Sequence, residues 1–145
     1  MKKTQAGKSK KEIKLFNIIK IKNLKGNLQL IKKSNRNNLK NIKEIYSLWV
    51  NKNKIKGWNY HKKMTVTLVI LVGKVKVVVY DPKKQIFNKF IINEKKPQMI
   101  VIPPKKYFGI KNLYTNKSLL LNLADLKHSK NEYMKTPLKK IIYAW

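Results

Sequence analysis

Short apolar segments follow one another from Ile45 to Ala124, and turn residues separate them about every ten positions. Residues 66–72 are nearly all β-branched or Leu. After Gly73, valines alternate with other residues as far as Tyr80. We expect these two segments to pair as a hairpin, because Gly73 interrupts one continuous apolar run. Evenly spaced short strands of this kind predict an all-β sandwich or barrel.

The same alternation predicts the remaining strands, and proline and glycine residues indicate where the strands end. Asp81-Pro82 ends the second strand of the pair, because proline cannot donate to a ladder in the middle of a sheet. Residues 34–40 are polar and read as a loop, whereas residues 137–145 fit either a short helix or a terminal strand. The predicted strands are 28–30, 45–50, 55–61, 66–72, 75–80, 85–92, 98–102, 107–113 and 118–124.

The length of 145 residues suits one domain, which we place at residues 15–145 behind a basic flexible tail at residues 1–14. The chain contains no cysteine, which excludes disulfides, thiolate metal sites and cysteine nucleophiles. No window reaches the roughly 18 apolar residues of a membrane span. We therefore expect a cytoplasmic protein with no membrane span.

The formal net charge is +29, from 35 Lys and Arg against six Asp and Glu. Such a field attracts nucleic acids, anionic membranes and phosphorylated metabolites. However, Arg36 is the only arginine, and arginine is the residue that proteins favour for bidentate phosphate and guanine contacts. Lys, Asn and Ile are abundant everywhere in the chain, as genome-wide compositional drift would also produce. Nucleic acid is therefore not the expected partner, and a basic nucleic-acid binder ranks as the third hypothesis.

Three segments carry a resemblance to a known family. They are Lys56-Gly57-Trp58-Asn59-Tyr60-His61 with the strands that follow it, Ile102-Pro103-Pro104 with the strand at 107–109, and residues 119–125 with Asn131-Glu132. In order and spacing they resemble the dTDP-4-dehydrorhamnose 3,5-epimerase-like family of the cupin superfamily, over about residues 25–145.

The resemblance implies a cupin jelly-roll barrel, usually a homodimer, that needs no cofactor and serves surface-polysaccharide sugar biosynthesis. Its open mouth would bind a dTDP-4-keto-6-deoxyhexose. The keto group acidifies the neighbouring C–H bonds, so that a His base removes a proton on one face and a Tyr acid returns one on the other.

This chain departs from the family pattern at its functional positions. Asn59 stands where the family has its catalytic His, Leu121 where it has the Tyr acid, Val66 where it has a substrate-lining Lys, and Phe108 where the second motif has a His. The metal-binding cupin pattern keeps one imidazole, His61, out of four ligands, so no metal is expected. Whether catalysis survives is left open by the sequence.

His61 is the candidate catalytic residue. Strand alternation places Asn59 and His61 on one face, where both can point into the barrel mouth. His61 would then act as a replacement base or as a hydrogen-bond donor to the sugar, and Asn59 would bind substrate; a half-buried polar residue at the rim is the structural alternative. His128 is a further candidate for substrate binding, or else a solvated loop residue.

Three more residues complete the predicted substrate site. Lys56 keeps the charge of the family's phosphate-binding Arg and is the candidate diphosphate contact, with Lys63 as a weaker one. Tyr107 could stack on thymine or line the mouth. Ordinary surface lysines and a core aromatic are the alternatives. The sequence thus supports a nucleotide-sugar epimerase or isomerase first, and a non-catalytic sugar or nucleotide-sugar binding cupin second.

Overall fold

The computed structural model describes residues 12–31 and 39–145, and nearly all of its regular structure is β-strand. The predicted tail and the predicted loop at 34–40 lie mostly outside these residues, although Lys14 already begins the first strand. No helix in the described ranges is long and apolar enough to cross a membrane. The strands are β1 (Lys14–Asn17), β2 (Ile19–Asn23), β3 (Gly26–Leu30), β4 (Glu44–Val50), β5 (Ile55–His61), β6 (Val66–Val72), β7 (Lys74–Asp81), β8 (Ile86–Asn93), β9 (Gln98–Ile102), β10 (Tyr107–Asn112), β11 (Ser118–Ala124) and β12 (Tyr133–Lys135).

Two five-stranded antiparallel sheets face each other, and β2 and β3 form a separate hairpin. One sheet, the β6 sheet, has the order β1-β9-β6-β11-β4. The other, the β5 sheet, has the order β12-β5-β10-β7-β8. From β4 to β12 the chain passes repeatedly from one sheet to the other, and this alternation makes the structure a jelly roll. The predicted all-β jelly-roll class is therefore confirmed.

The predicted hairpin over 66–80 is wrong. β6 pairs with β9 and β11, whereas β7 pairs with β8 and β10 in the opposite sheet. Gly73, with a φ of 89°, lies where the chain changes sheets, and a Cβ there would lie 2.3 Å from the Ser118 hydroxyl oxygen. Glycine is required for this left-handed conformation and this close approach. The local pattern marks two strands but does not say that they pair with each other.

The main core fills the space between the sheets. Both sheets contribute buried aliphatic side chains, including Leu68 and Ile70 from β6 and Val77 and Val79 from β7. A second cluster covers the outer face of the β6 sheet, where Val69 packs with residues from the N-terminal segment and from β9 and β11. β6 reads as a continuous apolar run because both of its faces are buried.

The last residues cover the outer face of the β5 sheet. Of the two predicted elements, residues 137–145 form only a short helix, a 3-10 helix at Leu138–Lys140, which is followed by irregular chain. The indole N–H of Trp58 donates to the Ile141 carbonyl at 3.1 Å, and the Trp58 and Trp145 rings lie 5.0 Å apart. A Cβ at Gly109 would lie 2.5 Å from the Trp145 ring, so glycine makes room for this packing.

Candidate functional site

A cavity of about 340 Å³ opens between the two sheets at one end of the jelly roll. Its first wall is the inner face of the β5 sheet, with His61 and Asn59 on β5 and Tyr133 on β12. Its second wall belongs to the β6 sheet, with Tyr46 on β4 and Asn122 on β11. Polar side chains thus meet from strands that are far apart in the sequence.

Four of the six predicted site residues line this cavity, namely His61, Asn59, Lys56 and His128. The side chains of β5 alternate as the sequence predicted, with Asn59 and His61 facing inward. Lys63 and Tyr107 are not among the lining residues. Tyr107 packs on the other face of the sheet, with its ring 4.7 Å from Tyr60.

His61 is the most buried ionisable group of the cavity, with 9% of its surface exposed. Its Nδ1 is buried without a hydrogen-bond partner among the described residues, and a Glu132 oxygen lies 3.8 Å away. Burial lowers the pKa of His61, while the charge of Glu132 partly opposes that shift. The imidazole is therefore neutral at pH 7 and able to accept a proton. With Nδ1 enclosed, Nε2 is the nitrogen that can meet a ligand.

Glu132 is held rigidly beside this imidazole. Its carboxylate accepts the backbone N–H groups of Lys63 at 2.9 Å and Met64 at 2.8 Å. Burial alone would raise the pKa of Glu132, but these hydrogen bonds outweigh it and the pKa is lowered. A fixed negative charge therefore faces His61. Glu132 was not predicted as a site residue, although the chain has only six acidic residues and each carboxylate is therefore a candidate.

Tyr133 was not predicted either, because its strand has three residues and is too short to show an alternation of polar and apolar residues. It is paired directly with His61 across β12 and β5, and the two ring centroids are 5.4 Å apart. Its hydroxyl donates to the Asn59 Oδ1 at 2.8 Å. Burial raises the pKa of Tyr133, so the phenol stays protonated. Asn59, which has no titratable nitrogen, positions this phenol.

The second wall offers hydrogen-bonding groups but no comparable acid. The Asn122 Oδ1 is buried without a partner in the described part of the chain. The Tyr46 hydroxyl donates to Glu44, whose carboxylate also accepts the His128 backbone N–H at 2.9 Å. Leu121, the position that the resemblance assigns to the Tyr acid, packs against the outer cluster instead of facing the cavity.

Two cations lie at the cavity, Lys56 on β5 and Lys135 on β12. Lys135 is paired with Asn59 across the two strands, so its side chain emerges beside the Tyr133 and Asn59 pair. Within residues 12–31 and 39–145, no three His, Asp or Glu side chains come together as metal ligands. The two lysines give this part of the cavity a positive charge.

Solved structures of sugar-nucleotide enzymes share this fold. A dTDP sugar isomerase from Desulfovibrio desulfuricans G20 superimposes with a TM-score of 0.85 at 22% identity, over 92% of this chain and 90% of that one. A mutant of the 3,4-ketoisomerase QdtA from Thermoanaerobacterium thermosaccharolyticum, in complex with TDP-4-keto-6-deoxyglucose, gives 0.72 at 23% identity, over 89% and 91%. The dTDP-4-dehydrorhamnose 3,5-epimerase from Sulfolobus tokodaii gives 0.77 at 18% identity, over 90% and 80%.

A comparison with curated proteins found no significant match. The model of the family described as "FdtA: WxcM-like, C-terminal" matches residues 11–142, nearly the whole chain. The predicted resemblance to cupin sugar-nucleotide enzymes is confirmed at the level of family and fold. This chain belongs to the family described as FdtA, WxcM-like, C-terminal.

Proposed function

We propose that this protein is a nucleotide-sugar isomerase acting on a dTDP-4-keto-6-deoxyhexose, with His61 as the base that moves a carbon-bound proton. The observation that carries the proposal is the environment of His61. A neutral imidazole, buried at the cavity wall and 3.8 Å from a fixed carboxylate, has no hydrogen-bond partner in the described residues. Buried polar atoms are rarely left unpaired in structural positions.

The chemistry follows from these two side chains. The C–H bonds next to the ketone are the acidic bonds of such a sugar, and a neutral imidazole is a suitable base near pH 7. Glu132 stabilises the imidazolium that forms and orients the ring through Nδ1. Apo distances of this kind commonly shorten when substrate binds. No cofactor is needed, since the keto group itself supplies the acidity.

The rest of the cavity fits the rest of the ligand. Lys56 and Lys135 would hold the diphosphate, and Asn122 and His128 would bind sugar hydroxyls. Lys63 and Tyr107 are left out of this site because they do not line the cavity. We further propose that the protein works in the cytoplasm as a homodimer, in the biosynthesis of surface-polysaccharide sugars.

Incubation with dTDP-4-keto-6-deoxyglucose in deuterated buffer tests the proposal. The wild-type protein should incorporate deuterium beside the ketone and move the keto group, as followed by NMR. His61→Gln should slow both at least about 100-fold, because it removes the base while keeping a polar side chain. If the wild-type protein neither incorporates deuterium at C3 or C5 nor moves the keto group, the proposed enzymatic activity is refuted.

The second candidate is a non-catalytic nucleotide-sugar binding protein. It is favoured by the residues at the family's functional positions, since Asn59, Leu121 and Phe108 carry no acid or base. Calorimetric titration with the same ligand separates the two candidates: binding without deuterium exchange supports the second. The absence of both heat and thermal shift would count against both.

A further inference from the structure

Resting on the proposed function, we propose that Tyr133 is a second catalytic residue, which carries the oxygen-bound proton between two neighbouring sugar oxygens. Together with His61 it would make the reaction a ketoisomerisation, in which the ketone moves to the adjacent carbon. Epimerisation, which inverts a carbon centre, would need a different arrangement of groups.

The register places both groups on one side of the bound sugar. Tyr133 and His61 are direct partners across β12 and β5, and directly paired residues project from the same face of a sheet. Their rings lie 5.4 Å apart at the cavity wall. A sugar lying against this wall would meet the imidazole and the phenol at adjacent atoms.

The phenol is held by an amide and not by a charged group. The Asn59 Oδ1 accepts a hydrogen bond from the Tyr133 hydroxyl at 2.8 Å. An amide oxygen orients a hydroxyl in this way without removing its proton. Burial favours the protonated phenol as the resting form. Asn59 stands at the family's catalytic His position, so we interpret it as the positioning residue for Tyr133.

Two side chains are enough to balance the reaction. His61 takes the proton from the carbon beside the ketone, and the released pair forms a C=C bond while the carbonyl pair moves onto the ketone oxygen to give an enolate. In a second step Tyr133 gives its proton to that oxygen. The phenolate then takes the proton from the hydroxyl on the first carbon. The electron pair left on that oxygen forms the new C=O bond, and the C=C bond takes the proton from His61 at the former carbonyl carbon. Both side chains return to their starting states.

The opposite wall does not support epimerisation. Inversion requires a proton donor on the face of the sugar opposite the base. In the described part of that wall, Asn122 and Leu48 carry no acid. The Tyr46 hydroxyl donates to the Glu44 carboxylate, whose charge raises the pKa of Tyr46 and holds its proton more firmly than the neutral Asn59 amide holds that of Tyr133. Leu121, at the family's acid position, packs away from the cavity.

Tyr133→Phe tests the assignment, because it removes the hydroxyl and keeps the ring. With dTDP-4-keto-6-deoxyglucose in deuterated buffer, deuterium should still enter at C3 within about tenfold of the wild-type rate, since this step needs His61 alone. Keto migration should fall at least about 100-fold. Tyr114→Phe, on an exposed tyrosine at the other end of the molecule, is the matched control and should change neither rate.

Several outcomes would overturn the inference. Keto migration at the wild-type rate in Tyr133→Phe shows that another group moves the oxygen-bound proton. Loss of deuterium exchange along with migration, in a variant that unfolds at the wild-type temperature, shows that Tyr133 only supports His61. An inverted carbon centre in the wild-type product refutes ketoisomerisation. A wild-type protein without any exchange contradicts the proposed function itself and is recognised before the variant is compared.

Discussion

The two ends of the jelly roll bury polar side chains in opposite ways. At the end away from the cavity, Asn112 is 2% exposed and fully hydrogen-bonded. Its amide donates to the carbonyls of Val50 and Asn116, and its Oδ1 accepts from the Tyr114 N–H and the Ser118 hydroxyl. At the cavity end, the His61 Nδ1 and the Asn122 Oδ1 have no partner among the described residues.

The difference separates a structural polar group from one held ready for a ligand. An unpaired buried polar atom costs about 1–3 kcal/mol, so a fold that can satisfy Asn112 completely has no structural reason to leave His61 unsatisfied. A ligand hydroxyl can donate to the Asn122 Oδ1, whereas the His61 Nδ1 lies toward Glu132 and leaves Nε2 for the ligand. Three predictions test whether the two ends differ in this way.

The largest effect on stability is expected at the end away from the cavity. Asn112→Leu should lower the free energy of unfolding by about 3 kcal/mol, because it leaves two carbonyls, one N–H and one hydroxyl without their partner. Urea denaturation monitored by tryptophan fluorescence measures this through the midpoint, with an unchanged slope. If the free energy of unfolding falls by less than about 1 kcal/mol, the partners of Asn112 find other hydrogen bonds and the network is not important for stability.

The same substitution at the cavity end should have a smaller effect on stability, of opposite sign. Asn122→Leu is expected to raise the free energy of unfolding by about 1 kcal/mol, since it removes a buried Oδ1 that has no hydrogen bond to lose. The affinity for a dTDP sugar, measured by calorimetry, should instead fall about tenfold. Equal destabilisation by Asn112→Leu and Asn122→Leu would remove the contrast between the ends.

The smallest effect is a pH dependence confined to the cavity end. The pKa of His61 is lowered in the folded protein, so just below the ordinary histidine pKa of about 6.5 the unfolded chain binds a proton that the folded chain does not. Stability should therefore fall as the pH drops from 7 toward 5. His61→Gln should flatten this slope, whereas Asn112→Leu should keep it.

Chemical denaturation at a series of pH values measures these slopes. The series stays above about pH 5 because the pKa of Glu132 is lowered as well, and its contribution is lost only at more acidic pH. A wild-type slope that persists in His61→Gln would assign the pH dependence to another group.

Local sequence accounts for the strands and for the direction of their side chains. The predicted bounds of β5 and β6 match the structure, and the inward direction of Asn59 and His61 follows from the two-residue period of a strand. The pairing of β6 was not predictable in this way, because an apolar strand buried on both faces can pair with many partners. β12 is too short to show a period at all.

The sequence by itself determined an all-β sandwich or barrel and one face of β5, because alternation and turn residues act between near neighbours. The jelly-roll class was implied by the family resemblance. The tertiary structure alone decided that Glu132 and Tyr133 join His61 and Asn59, and that Lys63 and Tyr107 stay outside the cavity. More than 70 residues separate Asn59 from Tyr133. A contact across such a distance depends on which strands pair and how the two sheets pack, and no local pattern records either.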